Sequence, residues 1–378
     1  MNNNPLRALQ KFGQSFWYDN ISRGILKSGE LKRMIEEEGV RGVTSNPSIF
    51  YKSIKSGSDY DEQLKELFIR NPGMTEKEVF FALAITDIKD ACNLLMPVYE
   101  ESGGADGFVS IEVDPHLAYD TEGTVKEALE LFEDIEMPNL MVKVPATKEG
   151  LPAIEELIYL GKNINVTLLF SVKRYEEVAE AYLKGLERRA DEGKPLNNVN
   201  SVASFFVSRV DTLADKYLEE KLNNAKDGPS EEKIRALMGK AAVANAQLAY
   251  ESFKMAFSSD WFLYLKRKDA KIQRLLWGST STKNPRYSDI LYVRELIGPG
   301  TVNTMPDDTW KAFKDHGRVE RTIDRDIDGA KSIINEIESL GISMSRITKE
   351  LEDEGVRLFA ESFDSLIALI KQKREDLS

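Results

Sequence analysis

Short apolar runs alternate with longer amphipathic stretches along most of this 378-residue chain. Helical spacing of apolar residues is seen between most of the runs, for example in Thr124–Glu133 and Arg174–Arg189. Strand–helix alternation implies a parallel sheet, and about eight units favour a closed (β/α)₈ barrel, the TIM barrel, over an open doubly wound sheet. The runs predicted to be strands are Ser15–Asn20, Gly42–Asn46, Gly107–Val113, Leu140–Pro145, Ile164–Phe170, Val202–Val207, Leu275–Ser279 and Thr301–Met305.

Three stretches exceed what a minimal barrel needs. Tyr51–Glu100 and Lys216–Lys254 have the pattern of helical insertions, and the segment from about Arg321 to Arg374 has apolar residues at helical spacing. These apolar residues are Ile347, Leu351, Leu358, Phe359, Phe363, Leu366, Ile367 and Ile370. Because no linker rich in Gly, Pro or Ser precedes this segment, we expect residues 1–320 to form a barrel domain and 321–378 a helical extension packed on it.

Composition and charge exclude several classes of partner. The formal net charge of −12 argues against nucleic acid and anionic membranes, which require a basic face. The single cysteine, Cys92, cannot form an internal disulfide and lies in a helical run, where we expect a core thiol. The first ten residues lack the regions of a signal peptide, and no segment is apolar enough to span a membrane. The expectation is a cytoplasmic protein, and a homo-oligomer is compatible with it.

The sequence favours chemistry without a metal or an organic cofactor. His116 and His316 are too few for a three-histidine zinc site, and no thiolate cluster replaces them. Neither G-x-G-x-x-G nor G-x-x-x-x-G-K-[ST] occurs. Asp324–Gly329 resembles the start of an EF-hand loop, but Asn335 occupies the twelfth position, so we predict a helix start with capping acids there.

Lys143 lies within the predicted strand Leu140–Pro145. Side chains alternate along a strand, so Lys143 and Met141 share the face opposite the branched residues, and we expect that face to point into the barrel. Its position near the strand's C-terminal end is where barrel enzymes have their active sites. Burial favours a neutral lysine, and a neutral amine is nucleophilic. The alternatives are an amine that reaches the barrel rim and a buried ion pair.

Polar residues on other strands point to the same end of the barrel. They are Asp19 and Asn46 at the ends of their runs, Ser110 with Glu112 on one strand, and Asn165 with Thr167 on another. Each alone is more often a satisfied polar group, but burying so many has a cost that packing does not explain. A carboxylate beside a neutral amine is suited to general acid–base catalysis.

Later strands supply candidates for phosphate binding. Ser204 lies inside Val202–Val207 and Arg209 follows it, while Ser281 and Lys283 follow Leu275–Ser279. TIM barrels often bind phosphate around their last strands, and cations there are suitable anchors. Surface salt bridges are the alternative for each cation.

These motifs together resemble the transaldolase family from about Phe12 to Leu369. The matching segments are Gly-Val-Thr-Ser-Asn-Pro-Ser at 42–48, Ser-Ile-Glu-Val-Asp at 110–114, Val-Lys-Val-Pro-Ala-Thr at 142–147, Asn-Val-Thr-Leu-Leu-Phe-Ser at 165–171 and Val-Asn-Thr-Met-Pro at 302–306. The long form with a helical extension looks like the bacterial branch that includes transaldolase–isomerase fusions, without an isomerase portion.

The resemblance implies catalytic roles for four residues. Lys143 matches the Schiff-base lysine, and Glu112 and Thr167 match the pair that positions the catalytic water. Asp19 matches the acid–base that handles the proton on the hydroxyl beside the broken bond. The implied reaction transfers a dihydroxyacetone unit from fructose 6-phosphate or sedoheptulose 7-phosphate to an aldose phosphate, in the pentose phosphate pathway.

The resemblance also implies substrate contacts. Arg209 and Ser281 match phosphate contacts, whereas Lys283 replaces an arginine of some relatives, so a point charge stands where a planar fork is found. Residues implied near the dihydroxyacetone part are Asn46, Asn165 and Ser204. Two other functions stay open at this point: a lysine-dependent fructose-6-phosphate aldolase that releases free dihydroxyacetone, and a catalytically silent barrel that binds sugar phosphates.

Overall fold

The computed structural model describes residues 4–225 and 227–377, where eight parallel strands close into one barrel. Each strand pairs with its neighbours in chain order, and the last pairs with the first. The predicted (β/α)₈ barrel is confirmed, and no predicted strand end is wrong by more than two residues. The strands are β1 (Gln14–Tyr18), β2 (Gly42–Thr44), β3 (Phe108–Glu112), β4 (Leu140–Pro145), β5 (Ile164–Leu169), β6 (Ser201–Phe206), β7 (Gln273–Gly278) and β8 (Thr301–Met305).

The helices begin where side chains can satisfy free backbone N–H groups. Thr75 forms a capping box with Glu78 at the start of the longest insertion helix, and Ser171 caps the helix after β5. The α-helices along the described chain are α1 (Pro5–Ala8), α2 (Arg23–Lys27), α3 (Glu30–Arg33), α4 (Pro47–Lys55), α5 (Asp61–Arg70), α6 (Glu76–Glu101), α7 (Thr121–Ile135), α8 (Gly150–Tyr159), α9 (Val172–Asp191), α10 (Ser208–Leu222), α11 (Gly228–Leu237), α12 (Ala241–Ser258), α13 (Asp260–Lys266), α14 (Leu291–Glu295), α15 (Asp307–His316), α16 (Ile327–Ser339) and α17 (Met344–Leu377). Shorter 3₁₀ or π turns are Leu9–Phe12, Met34–Glu38 and Pro115–Tyr119.

The barrel has two separate apolar layers. Leu140, Val142 and Val144 of β4 belong to the large core between strands and helices, as their alternation predicted. Inside the barrel a smaller cluster fills the middle, formed by Trp17, Phe108, Met141, Val202, Leu276 and Val302. On each of these strands the inward-facing position two residues further along lies nearer the C-terminal end of the strand, as Lys143 does after Met141 on β4. The inner cluster therefore forms an apolar floor below the C-terminal face of the barrel.

The segment after β8 packs on the barrel as predicted. Helix α17 contacts α4, α5, α6 and α10 as well as strand β5. Of the apolar residues predicted to pack, Leu358 and Ile367 are half-buried and the others are buried, which are Ile347, Leu351, Phe359, Phe363, Leu366 and Ile370. The division of the chain at residue 320 stays a prediction.

Single segments also follow the sequence. Cys92 is buried in α6, as expected for a core thiol. In the stretch that resembles an EF-hand, Asp326 accepts a hydrogen bond from the Gly329 N–H at 2.8 Å and caps α16, so the predicted helix start is confirmed. None of the helices in residues 4–225 and 227–377 has the length and apolarity that crossing a membrane requires.

Because Leu366 of α17 is fully buried against the barrel core, we expect Leu366→Ala to lower the free energy of unfolding by about 2–5 kcal/mol. Denaturant unfolding of the whole chain measures this loss. The control is Leu160→Ala, at a leucine that is 38% exposed, which is expected to change stability by about 0.5 kcal/mol or less. Equal effects of the two substitutions would contradict tight packing of α17.

Candidate active site

A cavity of about 340 Å³ opens at the C-terminal ends of the strands. Eight of the ten predicted site residues line it: Asp19, Asn46, Lys143, Thr167, Ser204, Arg209, Ser281 and Lys283. The other two lie behind this lining and contact it, since Glu112 is hydrogen-bonded to Lys143 and Asn165 to Ser204. The residues selected from separate strands therefore meet at one site.

Lys143 points into the barrel and is only 5% exposed. Its Nζ donates hydrogen bonds to the Ser45 carbonyl oxygen at 3.1 Å and to Glu112 Oε2 at 3.4 Å. The alternative of an amine that reaches the solvent at the rim is therefore wrong, whereas the ion-pair contact with Glu112 is present. A buried pair of this kind is costly to desolvate, so it is weak evidence for a purely stabilising role.

Glu112 and Thr167 each carry an unsatisfied buried oxygen. Glu112 Oε1 and Thr167 Oγ1 have no hydrogen-bond partner within the described parts of the chain. Leaving a buried polar atom unpaired costs about 1–3 kcal/mol, so native proteins seldom keep one without a use. Burial raises the pKa of Glu112, and the nearby Lys143 opposes that rise. Burial therefore favours the protonated form of this carboxyl group.

Asp19 directly follows β1 and accepts a hydrogen bond from Thr44 Oγ1 at 2.6 Å. Burial raises the pKa of Asp19, and the Thr44 hydrogen bond opposes part of this rise. Thr44 is in turn 2.7 Å from the hydroxyl of Thr304 on β8. Sequence reasoning did not select Thr44. Its parity with Asn46 was the available signal, because residues two apart on a strand share a face.

A β-bulge lies at Thr167 and Leu168 on β5. The pairing of β5 with β6 shifts register between Val166 and Leu169, and Leu168 has a φ of 58°, which is uncommon for a residue other than glycine. Bulges are common next to active sites, and Thr167 still lies in the cavity lining, on the face that alternation from Asn165 predicts. Leu168 packs against α17, where a Cβ added at Gly355 would lie 2.9 Å from Leu168 Cδ2. The helix thus holds the bulge beneath it.

Amide and hydroxyl groups form one wall of the cavity. Ser204 Oγ donates to Asn165 Oδ1 at 2.6 Å, and Asn165 Nδ2 donates to Ser110 Oγ at 3.0 Å. Asn46 was predicted to end a strand, and this is wrong, because β2 ends at Thr44. Asn46 instead caps α4 by accepting a hydrogen bond from the Ile49 N–H at 3.0 Å. The cap satisfies a free N–H at the start of that helix.

Cations lie at the part of the cavity formed by α10 and the loop after β7. Arg209, in the first turn of α10, has no hydrogen bond or ion pair with the residues that the structure describes. Burial lowers the pKa of Arg209, and the negative charge of Glu354 opposes this lowering. Lys283 Nζ donates to Ser281 Oγ at 2.6 Å. Arg209 and Lys283 also line an adjoining groove of about 1030 Å³. Such an arrangement is suited to an anionic group.

One residue of the lining came from an unexpected part of the chain. Phe359 of α17 is in the cavity wall, with its ring centroid 5.9 Å from Lys143 Nζ. Its helical spacing predicted burial but gave no sign of the active site.

No cluster of three or more His, Cys, Asp or Glu side chains suited to a metal ion occurs within residues 4–225 and 227–377.

Because Arg209 makes no hydrogen bond or ion pair with the described residues and contacts only the Phe206 ring at 5.7 Å among the ring contacts there, we expect Arg209→Ala to weaken the binding of inorganic phosphate by about tenfold, the effect of losing one charge-assisted hydrogen bond. A ³¹P NMR titration measures this affinity. Arg235→Ala, at an exposed arginine paired with Glu231, removes the same charge from a remote helix and serves as the control. Similar affinities in both variants would argue against an anion site at Arg209.

Comparison with known proteins places the chain in a family. A profile described as transaldolase/fructose-6-phosphate aldolase matches residues 16–370. The chain is 45% identical over 377 residues to a transaldolase of Trichodesmium erythraeum, covering 99% of each chain. It is 46% identical to a transaldolase of Parafrankia sp. over 98% of each chain, and 45% identical to one of Mycobacterium bovis over 96% of each. The predicted resemblance is confirmed, and the chain belongs to the transaldolase/fructose-6-phosphate aldolase family.

Proposed function

We propose that this chain is a transaldolase that transfers a dihydroxyacetone unit between sugar phosphates through a Schiff base on Lys143. The observation that carries the proposal is the buried Lys143 amine, hydrogen-bonded to Glu112 at the C-terminal end of a closed barrel. The family match over almost the whole chain supports the same reaction. Fructose 6-phosphate and sedoheptulose 7-phosphate are the proposed donors.

The first step is attack of Lys143 on the ketone carbon of the donor. A proton passes from the lysine to Glu112, whose raised pKa favours the protonated carboxyl group, and the amine is left neutral and nucleophilic. The free oxygens of Glu112 and Thr167 are suited to hold a water molecule between them. Through that water Glu112 returns a proton to the departing hydroxyl, and the carbinolamine becomes an iminium ion.

The carbon–carbon bond then breaks with the iminium as electron acceptor. Asp19 removes the proton from the hydroxyl on the carbon beyond the breaking bond, the aldose phosphate leaves, and the electron pair forms an enamine on Lys143. Asp19 must be ionised to act in this way, and Thr44 stabilises that charge. A second aldose phosphate accepts the enamine carbon by the reverse sequence, and hydrolysis of the new iminium frees the lysine.

The remaining cavity residues are proposed to bind the substrate. Arg209, Ser281 and Lys283 are proposed to bind the phosphate group, and the lack of a hydrogen bond or ion pair between Arg209 and the described residues supports this. The protein's negative net charge makes such local cations necessary for an anionic substrate. Groups proposed to bind the dihydroxyacetone hydroxyls are Asn46, Asn165 and Ser204.

Borohydride reduction in the presence of fructose 6-phosphate tests the covalent step. We expect a three-carbon adduct on the peptide that contains Lys143, found by mass mapping. Lys143→Arg should form no adduct and should lower turnover by at least about a thousandfold, because the nucleophile is removed. Lys126→Arg, at an exposed lysine on α7, is the control and should retain the adduct and turnover.

Turnover measured with and without an acceptor separates the transaldolase from the two alternatives. A transaldolase needs an acceptor, so turnover of fructose 6-phosphate should stall until erythrose 4-phosphate is added. Steady release of free dihydroxyacetone without acceptor would instead indicate a fructose-6-phosphate aldolase. A protein that binds sugar phosphate without adduct or turnover would be a catalytically silent barrel.

The Thr44–Asp19 hydrogen bond generates a pH prediction. Thr44→Val removes a donor to the ionised carboxylate, so the pKa of Asp19 should rise further. The acid limb of the kcat/KM profile should then move to higher pH by about one to two units, the value of a hydrogen bond to a charged group. Thr86→Val, a hydroxyl on α6 that donates to the Ala82 carbonyl, should leave the profile unchanged. An unshifted acid limb in Thr44→Val would remove Asp19 from the proposed role.

A further inference from the structure

One aromatic side chain of helix α17, that of Phe359, covers part of the active-site cavity and is called the roof below. Phe359 lies in the cavity wall, and its ring centroid is 5.9 Å from Lys143 Nζ. The phenylalanine is 8% exposed, so the ring is held in the wall rather than in open solvent. The other residues that line the cavity come before α17 in the chain, and most of them are polar.

The helix fixes the position of this ring from both sides. One turn before Phe359, Gly355 lies against Leu168 of the β5 bulge, and the absence of a side chain allows the close approach. One turn after it, Phe363 packs edge-on against Phe80 with ring centroids 5.7 Å apart. Residues four apart share a helix face. Phe359 is therefore clamped between two anchored turns of the same face.

Further contacts attach the helix to the insertion helices. Ser48 Oγ of α4 donates to Ser362 Oγ at 2.9 Å, and Lys373 Nζ is 2.7 Å from Asp61 on α5. Ser48 itself lines the cavity. Helix α17, which carries the roof, is thus hydrogen-bonded to α4, the helix that Asn46 caps, on the side of the cavity next to Lys143.

A ring at this distance has two physical effects on groups attached to Lys143. Its face attracts a cation, which favours the positively charged iminium. It also offers no hydrogen bond, so a water molecule cannot be held at that position without losing partners. The second effect concerns the enamine, because protonation of the enamine carbon by water ends in hydrolysis and release of dihydroxyacetone instead of transfer.

We propose that Phe359 is a specificity-determining residue, which favours transfer of the bound three-carbon unit to an aldehyde over its loss to water. The inference rests on the proposed transaldolase function and deepens it. The competing step balances as follows: one water gives a proton to the enamine carbon and is left as hydroxide, a second water adds to the resulting iminium, and the proton that this addition releases neutralises the hydroxide. The C–N bond of the carbinolamine then breaks, so dihydroxyacetone leaves and Lys143 regains its amine.

The test compares Phe359→Leu and Phe359→Ala with Ile370→Val. Ile370 is fully buried on the same helix, three turns beyond Phe359, and does not line the cavity, so its variant reports the effect of loosened packing alone. For each protein two rates are measured with fructose 6-phosphate: release of dihydroxyacetone without acceptor, and transfer to erythrose 4-phosphate. The ratio of release to transfer is the readout, because a loss of stability alone scales both rates together.

We expect the ratio to rise by about tenfold in Phe359→Ala, which corresponds to about 1.4 kcal/mol between two barriers, and to a smaller extent in Phe359→Leu. Ile370→Val should keep the wild-type ratio within about twofold, the scale of a change that does not reach the site. The borohydride adduct on Lys143 should persist in all three variants.

Two outcomes would overturn the inference: an unchanged ratio in both Phe359 variants, or an equal rise in Ile370→Val. Both leave the proposed function standing, provided that the wild-type protein forms the adduct and transfers the three-carbon unit. Failure of the wild-type protein to do either would instead refute the transaldolase function, so the two failures are distinguishable.

Discussion

The contact between Lys143 Nζ and Glu112 Oε2 is the interaction on which the rest of the site depends. Two ionisable groups from neighbouring strands are buried together, and the raised pKa of Glu112 reflects the cost of that burial. With the apolar floor below them and the helix above them, Lys143 is 5% exposed and Glu112 is 7% exposed. A closed barrel makes this arrangement stable, because adjacent parallel strands hold residues 112 and 143 in register.

Much of this could be predicted because the relevant signals are local in the sequence. Alternation along β4 was enough to place Lys143 and Met141 inside the barrel and the branched residues outside. The same periodicity, applied to separate strands, selected polar residues that meet in one cavity. Strand order came with the predicted barrel, because the strands of a (β/α)₈ barrel pair in chain order.

The remaining features depend on contacts that a single sequence does not encode locally. Leu168 has a left-handed backbone conformation and lies against Gly355 of α17, and nothing in the residue type indicates either feature. Asn46 was expected at a strand end, but its side-chain oxygen accepts a hydrogen bond from the Ile49 N–H and so caps α4. Phe359 had the spacing of a core residue, and only the path of α17 brings its ring to the cavity.

The position of the roof in the chain has a consequence for biosynthesis. All eight strands precede α17, so the barrel can close on a nascent chain while the residues of this helix are still being added. At that stage the lysine and its carboxyl partner would already be assembled but open to the surrounding water. The helix that carries Phe359 is therefore synthesised after every strand that contributes to the site, so the catalytic pair and its cover come from separate stages of synthesis.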